Sequence, residues 1–142
     1  MSFPLFVEPP REEWQRLLAD WAWLVDGPCY PLAATLFGDA FLLRPSGEVQ
    51  LLDALEGNLK TVAPSLKEFE ALLKSEQGRE LLMAQMAELL WNKEVRPQPD
   101  ECYGYQVPPI FGGSLGSENI RVFSRLVYMS IQGQLHRQAQ GG

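Results

Sequence analysis

The sequence predicts an α+β fold, a single domain in which a small, mainly antiparallel sheet is packed with helices. Three observations carry that prediction. The chain of 142 residues is the size that one hydrophobic core organises. Its 46% apolar and 21% charged residues supply enough burial to exclude disorder for the bulk of the chain. The apolar residues also change period along the chain, helical in some segments and short, strand-like runs in others.

The first ten residues hold three prolines and no period, so they read as an extended lead-in. From Arg11 to Val25 the stripe Trp14, Leu17, Leu18, Trp21, Leu24 and Val25 predicts an amphipathic helix, stopped by Asp26-Gly27-Pro28. Trp23 falls opposite that stripe on a helical wheel and is predicted to point outward. Ala34–Leu43 and Val49–Leu55 are strand candidates, and Pro45-Ser46-Gly47-Glu48 between them has the chemistry of a hairpin turn. Residues 58–63 add a third strand. Ser65 followed by Glu68 forms a capping box ahead of a stripe of Leu66, Phe69, Leu72 and Leu73. Ser75 begins another helix running to about Asn92, with Leu82, Met86, Leu89 and Leu90 on its apolar face. The prolines of 96–101 make a rigid connector, and Tyr103–Val107 alternates like a short strand. Pro108 to Gly113 turn the chain, Ile120–Ser124 is extended, and Leu126–Gln138 is read as a helix despite its strand-favouring Val127, Tyr128 and Ile131.

Twelve Lys and Arg against eighteen Asp and Glu give a net charge of -6, the wrong sign for gripping phosphate backbones. Direct nucleic-acid binding is therefore not expected. Charged residues interrupt every long apolar run, so no membrane span is predicted. Met1–Glu13 lacks the pattern of a secretory signal, which gives the expectation of a cytoplasmic protein. Cys29 and Cys102 lack metal-ligand spacing and are expected to be reduced thiols. With His136 as the single histidine, no metal site and no cofactor are expected.

One catalytic pattern is present. Gly112-Gly113-Ser114-Leu115-Gly116 matches G-x-S-x-G, with Glu118 and His136 following in order. A nucleophile elbow needs a long strand before it and a helix after it, whereas two prolines precede this one, so a glycine-rich turn is the preferred reading and a small serine hydrolase the alternative. His136 lies among amides and is read as structural. The acidic charge is uneven. Residues 1–60 hold nine acids and four bases, and 61–142 hold nine and eight. The net charges are thus -5 and -1, so Asp39, Glu48, Asp53 and Glu56 are candidates for docking a basic partner. Trp23, Tyr103 and Tyr105 are candidate aromatic anchors for the same partner, with core packing as the rival role for each.

Leu36-Phe37-Gly38-Asp39-Ala40-Phe41, Gly47, Leu52-Asp53, Gly57, Ser65 and Phe69 resemble bacterial proteins with a GAD-like region and a C-terminal immunity domain. The resemblance continues through Glu101-Cys102-Tyr103-Gly104-Tyr105, Pro108-Pro109, Gly112-Gly113, Glu118-Asn119 and Gly133-Gln134-Leu135-His136. That family includes immunity factors against DNase effectors of the type VI secretion system. It implies one immunity-type domain over 1–142, with 1–32 a helical segment standing for a reduced GAD-like region. It further implies a non-enzymatic inhibitor that occludes a cognate toxin effector, a nuclease, in a heterodimer. A nuclease cleft is basic, and carboxylates can stand in for phosphates there. A general scaffold protein is the remaining alternative.

Overall fold

A computed structural model of the chain describes residues 4–141, so the first three residues of the predicted lead-in lie outside the described part. The rest of the lead-in is extended, and Phe6–Val7 form a short strand, β1. Pro10 then opens a helix, α1, at Arg11–Leu17, where a missing N–H is harmless. The predicted continuation to Val25 does not form. The chain tightens into a 3-10 turn at Ala19–Trp21, because tertiary contacts there outweigh the helical period. Trp21 is fully buried and donates from Nε1 to the carbonyl of Met129 at 2.9 Å, while the Asp20 carboxylate accepts from the Ser130 hydroxyl.

Five strands build an antiparallel meander in the order β1-β2-β3-β4-β5, with β2 at Tyr30–Thr35, β3 at Ala40–Leu43, β4 at Val49–Asp53 and β5 at Asn58–Ala63. The predicted single strand Ala34–Leu43 is thus two strands. Thr35 breaks it, since its hydroxyl accepts the N–H groups of Phe37 and Asp39, both at 3.2 Å, and its N–H donates to the Asp39 carbonyl. Such local side-chain bonds compete with extension. The hairpin turn at 45–48 forms as its sequence predicts, with Arg44 N–H on Glu48 O and Gly47 N–H on Arg44 O, both at 2.9 Å.

Both faces of the sheet are covered. Ala40, Leu42 and Leu52 meet Trp14, Leu17 and Trp21 on one side; Phe41, Val49 and Leu51 meet Phe69 and Leu82 on the other. Two-sided burial explains why these strands read as apolar runs rather than alternating ones. Helix α2 spans Leu66–Leu73, capped as predicted by the Ser65 hydroxyl accepting from Glu68 N–H at 3.2 Å.

The predicted helix from Ser75 to Asn92 is divided. α3 covers Glu76–Leu81 and α4 covers Ala84–Asn92, with Met83 between them at φ 54, ψ 45. This break sends Leu82 to the sheet while Ala87 and Leu90 join Leu36, Phe37, Tyr103, Tyr105 and Ile120. Leu89, predicted inward, is exposed.

A second, two-stranded sheet pairs β6, Glu101–Tyr105, with β7, Ile120–Ser124. Tyr103 N–H ties it to the meander through Leu36 O at 2.7 Å. The last helix, α5, runs Arg125–Gly141 and packs with α1 and the 3-10 turn on the first face. The chain is one small α+β domain. No helix among the described residues is long and apolar enough to cross a membrane.

Candidate partner-binding site

The turn between β4 and β5 is organised around the backbone of one residue, Ala54. Its N–H donates to Asp39 Oδ1 at 2.8 Å, and its carbonyl accepts from Gln132 Nε2 at 2.9 Å and from His136 Nε2 at 3.1 Å. The second bond requires the tautomer with the proton on Nε2. His136 therefore serves to pin α5 onto the turn, and its neighbour in this task is Gln132, while Gln134 is exposed and donates to Ser130 Oγ. Gly57 lies under the imidazole at φ +69, where an added Cβ would stand 2.4 Å from the ring. No other residue fits that approach. The turn closes with Glu56 N–H on Asp53 Oδ1 at 3.0 Å and Gly57 N–H on Asp53 O at 2.8 Å.

This clamped turn carries acids to a cavity of about 160 Å³ lined by Asp39, Asp53, Glu56, Glu80, Lys60, Tyr105 and Tyr128, with Met83 and Phe37 among the apolar walls. Four of the seven sequence-predicted residues thus meet here: Asp39, Asp53, Glu56 and Tyr105. Asp39 is at the base and only 8% exposed; its Oδ2 accepts from Thr35 Oγ1 at 3.3 Å. Burial, reinforced by the charge of Asp53, pushes its carboxyl up to about 7. Tyr105 is buried in the wall and its hydroxyl is raised, again by burial first. Glu56 and Glu80 are exposed and Asp53 is half-buried. With one ammonium, Lys60, among these carboxylates, the cavity mouth presents a net negative field suited to a guanidinium or ammonium group.

The other three predicted residues are elsewhere. Glu48 stands at the far end of β4, in the β3–β4 turn, accepting from Thr61 Oγ1 at 3.2 Å. Trp23 is half-buried rather than outward, because the helical wheel that placed it ends at Leu17; its Nε1 donates to the carbonyls of Asp20 and Gly133. Tyr103 is wholly buried against Phe37, with its hydroxyl on Val95 O at 2.5 Å. In the free protein Tyr103, like Asp39, is committed to the core.

Sequence reasoning missed Glu80 and Met83. Both depend on the break between α3 and α4, and nothing in Glu-Leu-Leu-Met-Ala marks a left-handed residue. A larger cleft of about 630 Å³ opens between α1 and the start of β2, lined by Trp14, Leu18, Cys29 and Tyr30 among others; none of the predicted residues reaches it. Ser114, the nucleophile of the alternative reading, closes a turn: its hydroxyl donates to Glu118 Oε1 at 2.5 Å and accepts Gly116 N–H at 2.9 Å. The imidazole that would activate it is held on Ala54. Among the described residues no group of three or more His, Cys, Asp or Glu is placed to hold a metal ion.

Residues 63–136, just over half the chain, match the family described as T6SS immunity protein Tdi1, C-terminal. The chain belongs to this family of type VI secretion immunity proteins. The match begins at the end of β5 and runs to His136, so it contains the hairpin β6–β7, the α3–α4 break and most of α5, while Asp39, Asp53 and Glu56 precede it. No curated protein matches the chain. Among solved structures, the crystal structure of Atu4351 from Agrobacterium tumefaciens is similar in fold, with a TM-score of 0.62 at 16% identity over 92% of this chain and 66% of that one. The immunity chain thus spans about two thirds of the length of that relative.

Proposed function

We propose that this immunity protein binds a cognate toxin effector in the cytoplasm, as a one-to-one heterodimer, and neutralises it by occlusion. The effector is a nuclease delivered by type VI secretion, and the immunity protein uses no cofactor and performs no catalysis of its own. Residues 1–32 correspond to a reduced GAD-like region. The observation that carries this reading is the convergence of Asp53, Glu56 and Glu80 at the mouth of one cavity, in a chain whose family is that of immunity proteins. A surface that binds DNA must be rich in Arg and Lys. Carboxylates fixed on a clamped turn compete for those same groups and steer the encounter by long-range attraction.

The test is charge reversal. Asp53→Lys, Glu56→Lys and Glu80→Lys should each weaken binding to the product of the adjacent reading frame and flatten its dependence on salt. A carboxylate at the rim acts chiefly on the association rate, whereas one desolvated against an Arg of the toxin is worth about 2 to 5 kcal/mol on truncation. Reversal of Asp100, just before β6, and of Glu101, its first residue, should have little effect. Equal losses at both sets of positions would remove the cavity from the interface.

A further inference from the structure

The loop between β6 and β7 exposes apolar side chains on a rigid frame. Val107, Ile110, Phe111 and Leu115 are 49%, 44%, 65% and 59% exposed. Residues 102–117 contain no Asp, Glu, Lys or Arg, in a chain of net charge -6, and the loop's one charged residue, Glu118, accepts from the Ser114 hydroxyl. The frame is set by Asn119, which is buried: its Oδ1 accepts Val107 N–H at 3.0 Å, and its Nδ2 donates to the carbonyls of Val107 and Ser114, both at 2.8 Å. Phe111 N–H and Gly113 N–H both reach Pro108 O, and Ser114 bridges Glu118 and Gly116. At Gly113 the backbone passes so close to Val107 that an added Cβ would stand 1.8 Å from its carbonyl oxygen.

A loop whose only task is to reverse the chain gains nothing from holding four apolar groups in water. Clustered exposed apolar surface marks an interaction site. Depletion of charge and an aromatic anchor are the features of an interface centre, and a loop ordered beforehand loses little entropy on binding. Its position agrees, since Tyr105, the last residue of β6, lines the acidic cavity and the loop leaves from that wall.

We propose that this loop is a preformed apolar anchor that seats Phe111 and Ile110 in an uncharged, apolar pocket of the cognate effector, beside the acidic cavity. The assignment of the partner rests on the immunity reading above. An anionic bilayer is disfavoured as the occupant because the neighbouring carboxylates would be repelled by it. A second copy would bring an identical acidic cluster to the same contact.

The experiment uses the full chain, with Phe111→Ser and Ile110→Ser, and as probe the catalytically inactivated product of the adjacent reading frame. Affinity should fall about 30-fold or more in Phe111→Ser, the size of a hot-spot loss, with melting of the free protein unchanged. Binding by the wild type together with undiminished binding by both variants overturns the anchor while leaving the immunity reading intact. No binding by the wild type removes the immunity reading and the anchor's partner with it. A fall in melting temperature for both variants makes the loop a fold element instead. Two further results also overturn the proposal: wild-type self-association in sedimentation that Phe111→Ser abolishes, or wild-type cosedimentation with phosphatidylserine-containing vesicles that it abolishes.

Discussion

Burial takes Asp39 out of water while the Asp53 charge opposes its ionisation, and together these push its carboxyl up to about 7. An unfolded aspartate ionises near 4. Between about pH 4 and pH 7 the folded state therefore keeps a proton that the unfolded state has lost, and stability falls as pH rises through that window, with a slope of up to about 1.4 kcal/mol per pH unit. Asp39→Asn should flatten the slope in urea titrations across this range. An equally steep slope in the variant would assign it to another group. Arg125 is the opposite case, a cation with only 1% of its side chain exposed, donating to the carbonyls of Pro99 and Glu101 and paired with Glu13 at 3.6 Å. Arg125→Ala should lower stability by about 3 kcal/mol, since it strands those partners; a loss below about 1 kcal/mol in denaturant unfolding would mean that water replaces the guanidinium. Both cysteines are free, but burial raises the Cys102 thiol to about 12. Thiol titration of the native protein at neutral pH should thus label Cys29 alone, and both after denaturation. Rapid labelling of two thiols in the native state would contradict the burial of Cys102.

The β4–β5 turn depends on two donors from α5 that share the Ala54 carbonyl. Removing both, in Gln132→Ala with His136→Ala, leaves a buried carbonyl unpaired at about 1 to 3 kcal/mol, and amide exchange at residues 54–57 should accelerate more than exchange in β3. Uniform acceleration would show that the pair holds the whole fold rather than the turn. Elements whose signals are local were legible in the sequence: the Pro45–Glu48 turn, the Ser65 cap, β5, β7 and α5. Elements set by distant partners were not. α1 ends early to deliver Trp21 to Met129, β2 and β3 separate around Thr35, and Met83 breaks a helix so that two clusters can both be filled. The candidate site divides the same way. The charge bias of the N-terminal half pointed to Asp53 and Glu56, but it could not show that Asp39 is buried beneath them or that Glu80 joins them from α3. Alternation along β6 puts Tyr103 and Tyr105 on one side without saying that this side is the core.

At the scale of the whole molecule, an acidic cavity and a mainly apolar loop, whose one charged residue is Glu118, adjoin at Tyr105 in a protein of the type VI immunity family. In the proposed complex, charge there would set the rate and direction of approach, and apolar contact would set how long the complex lasts. Raising salt should therefore slow association of the wild type with its effector while leaving dissociation nearly constant. The central claim, stoichiometric inhibition of a nuclease, is tested most directly by titrating this protein into the product of the adjacent reading frame and following DNA cleavage. The account predicts that cleavage falls in proportion to added protein and vanishes at one equivalent. Cleavage that persists at several equivalents would contradict it, as would loss of the effector's activity at catalytic amounts of this chain.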